Sequence, residues 1–159
     1  MKTMKMKLLA LMALVGVLSL AGTAAADHLG KSHGTWKLVS AERHGKPLPK
    51  ADIENVTLTC KAEGKDLKIV VKEGDKVVTE ATAKLHKEGD KHDQYDITYT
   101  KGSDKDGKDM KGKTVHGIIA VDGDTMKVHW HAEEGHPKDF TVTKDSHSGT
   151  LRTYKRVKE

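Results

Sequence analysis

From residue 34 onward, apolar side chains recur at every second position, and the alternating stretches are separated by clusters of glycine, aspartate and lysine. Trp36, Leu38 and Ser40 share one face, and so do Val56, Leu58 and Cys60. Leu67, Ile69 and Val71 repeat the pattern, followed by Val77, Thr79, Ala81, Ala83 and Leu85, then Tyr95, Ile97 and Tyr99. Two further alternating runs flank an Asp-Gly turn at 122–123, Phe140 and Val142 suggest another strand, and Leu151 to Val157 ends the series. A period of two puts successive side chains on opposite faces of a pleated strand. No stretch carries the 3.6-residue period of a long amphipathic helix. "KEGDK", at 72–76 and again at 87–91, and "KGSDKDGKDMKGK" at 101–113 supply turn chemistry between the runs. About nine short strands of this kind predict an antiparallel meander, closed into a barrel or folded as a sandwich. Closure is the fuller solution, because it leaves no strand edge unpaired. The expectation is an all-β single antiparallel barrel of about eight to nine strands.

The first 27 residues read differently: "MKTMKMKLLALMALVGVLSLAGTAAAD". Lys2, Lys5 and Lys7 make a basic start, Leu8 to Leu20 is apolar but short for a bilayer, and Ala24-Ala25-Ala26 offers the small residues of a cleavage site. This predicts a signal peptide over 1–26, a short tail over 27–33 and the barrel domain over 34–158, with an exported product in the periplasm or outside the cell. An uncleaved anchor is the competing reading. Removing residues 1–26 takes three lysines and no acid, so the formal net charge falls from +5 to +2. That modest charge, scattered singly and without a stripe of stacking aromatics, argues against nucleic acid as a partner. Cys60 is the one cysteine and can form no intramolecular disulfide. On the face of Val56 and Leu58 it is expected to be a small buried side chain rather than a reactive thiol.

Candidate chemistry concentrates in "KTVHGIIAVDGDTMKVHWH", residues 113–131. With Asp122-Gly123 as the two central residues of a type I′ turn, His116 falls opposite His129 and Thr114 opposite His131. His116, His129 and His131 then share one face, while Val115, Gly117, Ile119, Met126, Val128 and Trp130 share the other. Opposed Cβ atoms lie ~4.5–5.5 Å apart, so this trio is a candidate Zn²⁺ or Cu²⁺ site. The alternative is a solvent-facing polar stripe, and it is the leading reading. Asp104, Asp106 and Asp109 lack the spacing and terminal glutamate of a calcium loop, and their segment reads as a hydrated connection. No nucleophile elbow occurs, Ser146, His147 and Ser148 are merely adjacent in a turn, and Glu133-Glu134 look solvated. No enzyme is expected, and no cofactor beyond the candidate Zn or Cu.

The motifs "GTWKLVSAERHGKPLP" (34–49), "KGKT" (111–114), "GI" (117–118), "DGDT" (122–125), "HPKDF" (136–140) and "KRVK" (155–158), in that order, resemble the uncharacterised lipocalin-like domain abundant in planctomycete bacteria. The similarity runs from Gly34 to about Lys158. Gly34-x-Trp36 near the first strand, with a basic residue in the last, is also similar to the lipocalin signature. There an arginine packs across the tryptophan at the closed end of the barrel. The resemblance implies that Arg156, with Arg152 as second choice, covers Trp36 through a cation–π contact worth about 0.5–2 kcal/mol. His136 stands where the family has arginine, and His116, His129 and His131 lie outside its pattern. The resemblance implies fold and export but assigns no activity, so no catalytic residue is carried over. By analogy with the architecture, the leading expectation is a monomeric exported binding protein with no membrane span after processing. It would hold a small apolar or amphiphilic ligand over Leu38, Leu58, Ile69 and Ile97. A structural or protein-interaction module of the cell envelope is one alternative, and a weak periplasmic Zn/Cu-binding protein is the other.

Overall fold

The computed structural model describes residues 29–145 and 149–158. The expected signal peptide over 1–26 and the expected turn at Ser146, His147 and Ser148 fall outside the described residues. Among the described residues nine strands form in chain order: β1 Gly34–Arg43, β2 Lys46–Pro47, β3 Val56–Glu63, β4 Asp66–Glu73, β5 Lys76–Lys87, β6 Asp93–Lys101, β7 Thr114–Asp122, β8 Thr125–His131 and β9 Thr150–Arg156. Each pairs antiparallel with its neighbour in the order β2-β1-β3-β4-β5-β6-β7-β8-β9, and β9 returns to pair with β1. The result is a closed eight-stranded meander, with β2 as a two-residue extension at the end of β1. Among the described residues no helix is long and apolar enough to cross a membrane.

Inward positions follow the alternation closely. Trp36, Leu67, Ala83, Tyr95 and Met126 are all fully buried in one core. Bulges in β1, β5 and β6 depart from it. A bulge between Leu38 and Ser40 inserts Val39 into β1, which leaves Ser40 exposed and turns Ala41 into the core. An extra residue in one strand shifts every later side chain to the opposite face.

The β7–β8 hairpin differs in register from the sequence expectation. Asp122 pairs with Thr125, so Gly123 and Asp124 are the central residues. Gly123 alone takes the left-handed conformation, at φ 56°. A type I′ turn demands that conformation of both central residues, whereas a II′ turn demands it of the first only, where glycine meets it without strain. The pairing therefore moves by two residues: His116 faces His131, and His129 faces Ile118. A two-residue shift keeps every side chain on its original face.

One barrel end is sealed by the chain that precedes β1. Residues 29–32 form a helical turn rather than a plain tail, with Leu29 and Ser32 buried. Trp36 donates its indole N–H to the Ser32 carbonyl at 2.9 Å. The Arg156 guanidinium carbon lies 4.1 Å from the centroid of the Trp36 ring, and its two terminal nitrogens donate to the carbonyls of His33 and Lys31 at 2.7 Å each. Gly34 makes room for this arrangement, since a Cβ there would sit 3.1 Å from Arg156 Nη1.

Phe140 and Val142 do not form a strand. Closure explains this: β8 pairs with β9 from Thr125 to Trp130, so the barrel offers no edge for another strand to join. Residues 132–145 instead cross the outer wall. The Asp139 carbonyl accepts from His129 Nδ1 at 2.6 Å, Phe140 packs edge-on against His92, and residues 143–144 come against Gly45. Ile118 and His129 point outward, yet they are 0% and 4% exposed. That part of the outer face is covered, not the solvated stripe expected.

Candidate functional site

Small side chains on β5 and a glycine on β7 keep the interior from filling. Alanines occupy positions 81 and 83, and Gly117 leaves space that Ile97 Cδ1 approaches, 2.9 Å from where a Cβ would stand. A cavity of about 390 Å³ results, within the usual range for small-molecule sites. Leu58, Ile69 and Ile97 line it. Leu38 does not; it is buried in the core, on the rung it shares with Tyr154. The walls of the cavity are mostly apolar, and its deep part reaches Cys60.

Its mouth lies at the end away from Trp36. The loop after β6 contributes Ser103, Asp104, Lys105 and Met110, and the end of β8 with the chain after it contributes His131, Ala132 and Glu133. The loop is tied down from within. Asp104 Oδ1 accepts backbone N–H groups from Lys108 and Asp106 at 2.9 Å each, and the Met110 N–H donates to the Gly102 carbonyl at 2.9 Å. These bonds, that from Lys108 foremost, hold the Asp104 carboxyl below its ordinary range. The expected hydrated connection is thus an ordered rim, with Met110 packed on the core.

Arg152 lines the cavity as a cationic side chain, as does Arg43. Arg152 stands on β9 on the same face as Tyr154, with its guanidinium carbon 5.1 Å from the Trp130 ring centroid. Its Nε is buried and makes no hydrogen bond within the protein. Burial pushes the Tyr154 hydroxyl well up, and the charge and hydrogen bond of Arg152 pull it part of the way back. Burial likewise raises Tyr99. The resemblance makes Arg152 the second choice for covering Trp36; the structure places it over Trp130 instead, at the mouthward end. The signal is present in the sequence, because Arg152 alternates with Tyr154 and must therefore face inward.

Cys60 is 1% exposed. Burial pushes its thiol up to about 12, against a smaller lowering by Arg156. Since the thiolate is the nucleophile, iodoacetamide at pH 8 is expected to label the folded protein on the order of 100-fold or more slowly than the urea-unfolded chain. Mass spectrometry of the alkylated protein reads the ratio; equal rates in the two states would contradict this burial.

The histidines divide into two groups, and the expected trio does not gather. His129 and His131 stay together at 6.4 Å between ring centroids. His129 is engaged with Asp139, and His131 turns toward the cavity mouth. His116 joins a different set on the outer wall. Asp96 Oδ1 accepts from His116 Nδ1 at 2.8 Å and from His136 Nε2 at 3.0 Å. His86 Nδ1 lies 3.5 Å from Asp96 Oδ2. The rings of His86 and His136 are 4.5 Å apart, and those of His116 and His136 are 5.0 Å apart.

Strand pairing explains this assembly. Asp96 on β6 lies directly opposite His116 on β7. On β5 a bulge between Leu85 and Lys87 leaves His86 as the extra residue, which re-aims it toward Asp96. His136 arrives with the segment that crosses the wall. Burial opposes ionisation of Asp96, but the His116 hydrogen bond and the neighbouring imidazoles more than offset it, so its carboxyl sits below the ordinary value. Burial holds His136 below its ordinary value as well, against the pull of Asp96. Sequence reasoning missed His86, Asp96 and His136. The β6–β7 register follows from no tight turn, since residues 102–113 intervene, and His136 looked like part of a surface turn.

No protein-family model matches the chain, and no curated protein matches it. Among solved structures, the chain is similar to a point mutant of the fluorescent protein UnaG, at 13% sequence identity and a TM-score of 0.43, over 82% of this chain and 99% of that one. The architecture described above rests on the strand pairing itself: an eight-stranded antiparallel meander barrel, closed by β1 and β9.

Proposed function

We propose that this protein is an exported binding protein for a small amphiphile, with the apolar part in the barrel and an anionic headgroup on Arg152. Membership of the planctomycete lipocalin-like family, and release into the periplasm or the medium after cleavage near Ala26, belong to the same reading. The observation that carries it is Arg152, which lines a cavity of about 390 Å³ and whose buried Nε has no hydrogen-bond acceptor within the protein. A buried charged donor without an acceptor costs about 1–3 kcal/mol or more, and a carboxylate is its natural bidentate partner. The Tyr154 hydroxyl beside Arg152 offers a further donor. Trp130, stacked on the guanidinium, holds Arg152 in place and gives binding an optical signal.

The test is a titration of the purified protein with a medium-chain fatty carboxylate and with the alcohol of equal length, read by tryptophan fluorescence and by native mass spectrometry. The carboxylate is expected to bind about 10–100-fold more tightly, the range that one charge-assisted hydrogen bond supplies. Arg152→Met is expected to erase that preference while leaving the alcohol's affinity nearly unchanged. Binding of neither compound, or an equal preference in wild type and variant, would refute the proposal.

A further inference from the structure

We propose that His86, Asp96 and His136 form a divalent transition-metal site on the outer wall of the barrel, with His116 as a further imidazole on the same carboxylate. Among the described residues, the ligand atoms of His86, Asp96 and His136 all lie within 4.8 Å of one another. Two ligands at ordinary Zn–N and Zn–O lengths around a tetrahedral ion are about 3.3 Å apart. The separations, 3.0 Å from Asp96 Oδ1 to His136 Nε2 and 3.5 Å from Asp96 Oδ2 to His86 Nδ1, bracket that value.

The donor set selects the kind of ion. Imidazole nitrogens with one carboxylate suit Zn²⁺, Cu²⁺, Co²⁺ or Ni²⁺, whereas Ca²⁺ and Mg²⁺ demand oxygen ligands throughout. Access is open on one side: the His86 side chain is 53% exposed, while that of His136 is 10% exposed. The ion would thus have a route in and a buried anchor.

The site also joins parts of the chain that are far apart in sequence. His86 and Asp96 belong to adjacent strands β5 and β6, and His136 belongs to the segment that runs from the cavity mouth across the wall. A bound ion would pin that segment to the barrel at a second point, beside the His129 contact with Asp139.

The experiment is isothermal titration of Zn²⁺ into tag-free protein at pH 7.5, with Co²⁺ absorption as a spectroscopic readout of ligand number. One ion per chain is expected, with the visible bands of a tetrahedral nitrogen and oxygen site. His86→Ala, at an exposed position that leaves the core untouched, is expected to weaken binding on the order of 100-fold, and His136→Ala likewise. His131→Ala, at the cavity mouth, is expected to leave the affinity unchanged, which separates this site from the His116, His129 and His131 trio. Absence of binding in the wild type, unchanged affinity in His86→Ala, or loss in His131→Ala alone would each overturn the assignment.

Discussion

Trp36→Ala is expected to lower the free energy of unfolding by about 3–5 kcal/mol, the range for removing a large aromatic from a packed interior. That is a large share of the roughly 5–15 kcal/mol that holds a domain of this size together. Three losses coincide. The indole is fully buried, and the remaining alanine cannot fill its volume. The Ser32 carbonyl loses the N–H that satisfies it at 2.9 Å. The Arg156 guanidinium, 4.1 Å above the ring, loses the face it covers, a contact worth about 0.5–2 kcal/mol. Arg156→Met is expected to cost less than Trp36→Ala, because it keeps the indole buried while removing the cover and two bonds to backbone carbonyls. Urea unfolding followed by circular dichroism measures both. A loss under about 1 kcal/mol for Trp36→Ala would mean that the sealed end contributes little.

The second large effect is expected at Gly149, just before β9. Its backbone is left-handed, at φ 81°, and a Cβ there would overlap the Trp130 carbonyl and stand 2.9 Å from His131 Cβ. Gly149→Ala therefore combines a strained backbone, about 1–3 kcal/mol, with overpacking against main chain that cannot rotate away, about 1–3 kcal/mol more. The chain is expected to relieve the clash by opening the last rung of β8 and β9, where Trp130 pairs with Thr150. That rung carries one wall of the cavity mouth, so the variant should lose ligand affinity along with stability. Hydrogen exchange at the amides of Trp130 and Thr150 checks this locally, since exchange reports the free energy of opening a particular segment. Unchanged protection there, with an unchanged melting temperature, would show that the close approach is relieved at no cost.

The outer-wall histidines mark the limit of what local sequence conveys. Alternation assigned His116, His129 and His131 correctly to one face, because a period of two survives any register error of two residues. Which of them meet was another matter. His116 lies beside Asp96 through the β6–β7 pairing, which is set across twelve intervening residues rather than by a turn. His86 is presented by a bulge, and nothing in "AKLHKEG" announces one. His136 reaches Asp96 only because the closed barrel refuses a tenth strand and sends the chain over its outside. The cavity shows the same division. Leu58, Ile69 and Ile97 were legible as inward residues, but Leu38 was equally so and lies outside the cavity. Inwardness is a property of the strand, whereas lining a void depends on what fills the neighbouring space.

The amino-acid order alone determined a strand-only architecture, the faces of its side chains, the burial of Cys60 and the inward aim of Trp36, because each of these needs only the two-residue repeat and short-range turn chemistry. Closure of β1 on β9, the bulges at Val39 and His86, and the convergence of imidazoles on Asp96 were decided by the folded whole. They depend on contacts between residues tens of positions apart, where the free energy of many packed side chains outweighs any local preference.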